Sequence, residues 1–299
     1  MSLVGFMDLM KEAERGEYAV GYFESWNLES LQAVADAAES MRSPVILGFS
    51  GIYLPHPSRQ AQETLSTYAA LGKDACRTLS VPSCLIFNES PHFDWVTEAI
   101  DLGFGLVMYT DETLCLEEQS RRVRRIVEKA HPLGVAVEGE LTSLPGVGGE
   151  LVAAPDTMCL DDPGLARSFV EETGVDAFAV NIGQAHLHGR SRVRLNLARL
   201  AELRKALSVP LVLHGATSVS RSDLKEAIQL GVKKINVGSI LKRSYFEALR
   251  RACSSVGEDY NPYEVVGSGL QKDVLAAGRV ALQKTVQELM SLFGSAGRA

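Results

Sequence analysis

Short apolar runs rich in β-branched residues alternate with longer amphipathic stretches along nearly the whole chain, and this alternation restricts the possible folds more than any other feature. The strand candidates are residues 19–23, 45–49, 83–88, 106–109, 136–140, 177–182, 211–214 and 234–237. Between them, stretches such as 28–41, 95–102, 117–130, 163–173, 197–207 and 222–230 carry apolar residues at three- and four-residue spacing, the helical period. Several strand candidates are nearly all apolar, as in Val209-Pro210-Leu211-Val212-Leu213. Strands buried on both faces have that character, which points to a parallel sheet covered by helices. Gly103, Gly134, Gly174 and Gly231 stand between a helix and the next strand, where a left-handed cap is wanted.

Eight strand–helix units in about 250 residues predict a closed (β/α)8 TIM barrel. A doubly wound sheet is the alternative, but no G-x-G-x-x-G fingerprint follows the first strand. The expected division is a single barrel domain over residues 15–255 with a C-terminal helical extension over 256–299, in which 274–293 has a long helical pattern. The connection 141–160, with three glycines and two prolines, is long enough to read as a lid.

Charge and cysteine content exclude several classes of function. Lys plus Arg number 30 against 37 Asp plus Glu, a formal charge of −7 without a basic block. Neither nucleic acid nor an anionic membrane is an expected partner. The five cysteines are widely spaced and never form a C-x-x-C pair, so they read as reduced thiols. With no basic-then-apolar leader at Met1 and no apolar run of about 18 residues, a soluble cytoplasmic protein is expected.

In a barrel, chemistry sits at the C-terminal ends of the strands. Those ends read Asn88-Glu89-Ser90, Glu138-Gly139-Glu140, Asn181 to His186, His214-Gly215-Ala216-Thr217-Ser218, and Asn236-Val237-Gly238-Ser239. Two imidazoles, His186 and His214, converge with carboxylates such as Glu140. That donor set suits a zinc-like divalent ion. A lone His at a strand end more often satisfies a neighbouring group, and spacing alone leaves the two readings balanced. His56, His92 and His131 lack such a context and read as surface residues. Small residues and hydroxyls after the seventh and eighth strands, in the segments 215–218 and 238–239, favour an anion held by backbone N–H groups.

These residues carry a resemblance to the class II (metal-dependent) fructose- and tagatose-bisphosphate aldolases. It extends over nearly the whole chain and is most specific at Val137-Glu138-Gly139-Glu140-Leu141, at Val209 to Gly215 and at Gly231 to Val237. The resemblance implies a divalent metal, most often zinc, that stabilises an enediolate derived from dihydroxyacetone phosphate. It also implies metal ligands at Glu89, His186 and His214, with Glu140 at a second metal position. Ser50, Gly215, Thr217, Asn236, Gly238 and Ser239 match the residues that hold the substrate phosphate. The expected partners are therefore a small phosphorylated sugar or dihydroxyacetone phosphate and, through a homo-oligomer (dimer or tetramer), further copies of the chain.

The pattern is broken at specific positions. Where the family has Asp-His at the end of the third strand, this chain has Asn88-Glu89. An amide cannot take or give the aldol hydroxyl proton, whereas a glutamate can still ligate a metal. The family's Asp on the fourth strand falls on Thr110, next to Asp111. A family glycine is Leu187, and the lid's proton-abstracting glutamate is matched by Glu150, two positions further along the loop. The implied activity is a divergent metal-dependent aldehyde-lyase that makes or breaks a carbon–carbon bond, or enolises a phosphorylated ketose. The alternative is a non-catalytic sugar-phosphate-binding descendant.

Overall fold

The computed structural model describes residues 2–144, 146, 160–186 and 193–299. Its strands are β1 (Val20–Ser25), β2 (Val45–Ser50), β3 (Ser83–Ser90), β4 (Leu106–Tyr109), β5 (Ala136–Glu140), β6 (Ala177–Ala179), β7 (Leu211–Leu213) and β8 (Val232–Val237). Among the described residues all neighbours pair in parallel, and β8 closes on β1, giving the expected (β/α)8 barrel. Register places Tyr22 beside Asn236 and Ser50 beside Asn88, so polar residues from distant parts of the chain meet at one rim.

Gly103, Gly134, Gly174 and Gly231 all have positive φ, from 72° to 109°, as the helix-to-strand turns require. Among the described residues, two clusters make the core. The larger fills the space between strands and surrounding helices, and the smaller fills the barrel interior below the rim. The smaller includes a helix not anticipated from the sequence, Phe6–Arg15, whose Phe6, Leu9, Met10 and Ala13 follow helical spacing and are buried. It closes the N-terminal end of the barrel against Val20, Ile46 and Cys84. Each large side chain so buried contributes about 1.5–3 kcal/mol.

The C-terminal extension contains the helix Val274–Phe293, with the bounds expected from its periodicity, ended by Gly294 at φ 75°. Phe293 stacks on Phe23 of β1, with ring centroids 6.2 Å apart, which ties the extension to the barrel wall. No helix among the described residues is long and apolar enough to cross a membrane.

Candidate active site

A cavity of about 420 Å3 opens at the C-terminal rim. It is lined by Ser50, Asn88, Glu89, His186, His214, Gly215, Thr217, Asn236, Gly238 and Ser239. Ten of the residues singled out from the sequence thus line one cavity. Glu140 lies deeper, at the end of β5, and Glu150 and Leu187 fall outside the described residues.

The end of β3 is specially shaped. Residues alternate between faces along a strand, so Asn88 and Glu89 would ordinarily point in opposite directions. Here the β3–β4 register shifts between Phe87 and Ser90, and Glu89 has φ 50°. That left-handed conformation is costly for a residue with a Cβ and is held only by its surroundings. It lets both side chains face the cavity. Asn88 Nδ2 donates to Glu89 Oε2 at 2.7 Å.

His214 is the hub of a buried polar network. Its Nδ1 stands 2.9 Å from Glu89 Oε1 and its Nε2 stands 2.7 Å from Glu138 Oε1. The other oxygen of Glu138 accepts from Lys234 Nζ at 2.7 Å, and Lys234 also donates to Asn236 Oδ1 at 2.6 Å. Asn236 Nδ2 donates to Asn88 Oδ1 at 3.2 Å, closing a ring of contacts across the barrel mouth. With Nε2–H given to Glu138, the 2.9 Å approach of Asn236 Nδ2 to the same nitrogen is a packing contact.

The charges follow from this geometry. Burial alone would lower the pKa of His214. The negative charge of Glu89 and the hydrogen bonds to Glu138 and Glu89 outweigh it and push the imidazole up to about 10. Burial alone would raise Glu89, but the charge and hydrogen bond of His214, with the charges of His186 and Lys234, bring it down to about 2. Glu138 is likewise held below the usual carboxylate range, because Lys234 and His214 outweigh its desolvation. Lys234 is lowered by burial despite Glu138. His214 is therefore an imidazolium donating from both nitrogens to two carboxylates.

Glu140 behaves differently. It accepts from Thr110 Oγ1 at 2.6 Å and Ser143 Oγ at 2.9 Å. Burial, reinforced by the charge of Glu89 and opposed by that of His214, pushes it up to about 7. Thr110 thus serves Glu140, while the neighbouring Asp111 turns away from the cavity. Asp111 accepts from Thr113 Oγ1 at 2.6 Å and lies 3.9 Å from the Arg122 guanidinium.

Sequence reasoning missed several residues that the structure brings in. Tyr22, Glu24, Tyr53, Lys242 and Arg243 also line the cavity. Glu138 and Lys234 hold His214 from below. Parity along the strands was the available signal: Glu138 shares a face with Glu140, Lys234 with Asn236, and Glu24 with Tyr22.

Comparison with known proteins places this barrel and its rim within a family. The family model for class-II fructose-bisphosphate aldolase matches residues 4–298. The chain is 33% identical to the fructose-bisphosphate aldolase of Geobacillus stearothermophilus, with 100% of this chain and 99% of that protein covered. It is 31% identical to the fructose-bisphosphate aldolase of Thermus caldophilus, covering 99% of this chain and 100% of that one. The crystal structure of the YdjI aldolase from Escherichia coli K12 superposes with a TM-score of 0.79 at 29% identity, covering 99% of both chains. With sequence and fold agreeing from end to end, the chain belongs to the class-II fructose-bisphosphate aldolase family.

Proposed function

We propose that this protein is a metal-dependent aldolase-like lyase whose proton-transfer chemistry has diverged from bisphosphate cleavage. The observation that carries the reading is the joint presence of Glu89, His186 and His214 in one cavity with the small residues and hydroxyls that follow β7 and β8. Their donor chemistry, two imidazoles and a carboxylate, fits a divalent ion such as zinc, with Glu140 as a further oxygen donor. Among the described residues no three His, Cys, Asp or Glu side chains already stand at metal-holding distance. Binding therefore requires His214 Nδ1 and Glu89 Oε1 to exchange their mutual contact for the ion. When bound, the metal supplies a Lewis acid to a ketose carbonyl.

The chain's own residues do the rest. Ser50, Gly215, Thr217, Asn236, Gly238 and Ser239 bind and orient a substrate phosphate, with Ser239 at the start of the helix Ser239–Ser254. Glu138 and Lys234 fix the ring of His214. Asn88 orients Glu89 and accepts from Asn236, but carries no titratable proton for an aldol hydroxyl. Glu150 is proposed to act on the substrate from the lid. Enolisation, or carbon–carbon cleavage and condensation with another proton carrier, is the reaction class that remains. The expected homo-oligomer, a dimer or tetramer, is to be checked by light scattering.

One observation favours a second reading, a non-catalytic binder of sugar phosphates: both nitrogens of His214 are taken by carboxylates. Metal analysis separates the two. The lyase reading expects one divalent ion per chain in the purified protein, lost in His214→Ala; unchanged metal content in that variant overturns the assignment. Calorimetry should show dihydroxyacetone phosphate binding more tightly than dihydroxyacetone, with Ser239→Ala weakening only the former. Equal affinities would remove the phosphate site.

A further inference from the structure

The wall of the cavity formed by β1 and the helix Ser239–Ser254 holds an ion pair that the proposed reaction does not use. Glu24, near the end of β1, is mostly buried and pairs with Lys242, whose side chain keeps 40% of its exposure. Both line the cavity. Lys242 lies one turn beyond Ser239 on the same helix, and its Nζ sits 5.0 Å from the Tyr53 ring centre and 5.6 Å from that of Trp26. The other oxygen of Glu24 reaches over Gly238, where a Cβ would collide with Glu24 Oε2. The absent side chain at 238 therefore leaves room for a carboxylate beside the loop assigned to phosphate.

We propose that Lys242 is an anion-binding residue of this cavity and that Glu24 is its built-in competitor, a specificity-determining pair. The inference rests on the phosphate site proposed above and deepens it. A dianion seated at Gly238 and Ser239 would lie beside the Glu24 carboxylate and compete with it for Lys242, which would turn from Glu24 to the incoming phosphate. The ammonium has the means to do so. It is a flexible point charge on a four-carbon stem, half in solvent, with aromatic faces on which it can slide. Exchange between two anions of similar reach costs little, because a partly exposed ion pair is weak. Glu24 thus sets a threshold: a ligand must carry enough negative charge at that end to displace a carboxylate, which a hydroxyl cannot do.

The test is calorimetric titration of the full-length protein with inorganic phosphate and with dihydroxyacetone phosphate, at low and moderate salt. Circular dichroism of each variant confirms folding. Glu24→Gln is expected to tighten both ligands about three- to fivefold, the equivalent of a weak ion pair. Lys242→Met should weaken both by at least that factor and flatten the salt dependence. In the Lys242→Met background, adding Glu24→Gln should restore little. If wild type binds phosphate and neither single variant changes its affinity, the pair is overturned while the phosphate site stands. If Glu24→Gln tightens binding equally with and without Lys242, Glu24 acts by its own charge and the exchange is overturned. If neither wild type nor Glu24→Gln binds either ligand, the phosphate site and the inference fall together. Binding seen only in Glu24→Gln supports the competitor role.

Discussion

His214 Nδ1 and Glu89 Oε1 face each other at 2.9 Å across the barrel mouth, joining β3 to the residue that follows β7. Glu89 reaches that place only because its backbone is left-handed at φ 50°. A non-glycine residue is kept in such a conformation when its side chain is needed where the turn puts it. The proton between the two residues occupies the line along which both would address a metal. Glu89→Gln keeps the size but supplies a neutral, weak donor. It is expected to lower divalent metal affinity by at least about 10–100-fold, the loss typical even of outer-sphere changes. Competition with a chromophoric chelator measures it, and an unchanged affinity would remove Glu89 from the ligand set.

Below that contact, Lys234 and Glu138 are both fully buried and 2.7 Å apart. Breaking one half of such a pair strands the other charge without water. Lys234→Met should therefore destabilise the fold by about 3–5 kcal/mol. Combining it with Glu138→Gln should cost less than the two single changes added together, because the stranded charge is gone. Urea denaturation of the four proteins yields the coupling directly, and simple additivity would show that the pair is not an energetic unit.

The barrel was legible because its strands are buried on both faces and its helices are capped by glycines at the right intervals. The rim residues were legible because the topology tells where strand ends meet. Glu138 and Lys234 were not singled out as a pair, since a lysine within Val232–Val237 reads locally as solvent-facing and only its parity with Asn236 turns it inward. Glu24 and Lys242 were missed for a related reason. The closure of β8 on β1 brings them together, and no local pattern signals a contact between residues 218 positions apart. Asp111 shows the limit of sequence neighbourhood in the opposite sense. It sits beside a family position in sequence, yet the strand's alternation gives the inward place to Thr110 and turns Asp111 toward Arg122. The helix Phe6–Arg15 has a regular apolar spacing that could have been read, but most of its packing partners, such as Ile46 and Cys84, come from distant parts of the chain.

Asp161 offers a pH-dependent test away from the proposed metal ligands. It accepts from the backbone N–H of Asn181 at 2.7 Å. Burial, only partly offset by that bond, by Thr142 and by the charge of Arg199, pushes it up to about 6 from 3.8. Between those values the folded chain keeps a proton that the unfolded chain has lost, so stability falls as pH rises through the window. The loss is up to about 3 kcal/mol, since a tenfold change in proton affinity is worth about 1.4 kcal/mol. Asp161→Asn mimics the protonated form and should flatten the stability profile between about pH 4 and pH 6. Chemical denaturation at several pH values checks this, and an unaltered slope in the variant would rule Asp161 out as its source.

The chemistry itself is tested at Asn88 and Glu89. The Asn88 amide donates to Glu89 and accepts from Asn236, so its polar atoms are committed to holding the rim together. An acid–base group at this position would contribute about 10²–10⁴-fold to cleavage of an aldol hydroxyl substrate, and the unmodified protein should be slow on fructose 1,6-bisphosphate by that order. The double change Asn88→Asp with Glu89→His supplies a proton carrier and a third imidazole together. It also breaks the carboxylate contact on His214 Nδ1, which frees that nitrogen for the ion. Activity measured by release of dihydroxyacetone phosphate should rise in the folded, metal-loaded double variant. Asn88→Asp alone should gain less, because the added carboxylate would sit against Glu89 and repel it. Brisk bisphosphate cleavage by the unmodified protein would mean that another group carries the proton. Asp111 is a poor candidate for that role, since it is turned out of the cavity, and Glu140, pushed up to about 7, is the nearer one. No gain in the double variant would move the divergence beyond β3, to the wall where Glu24 stands over Gly238.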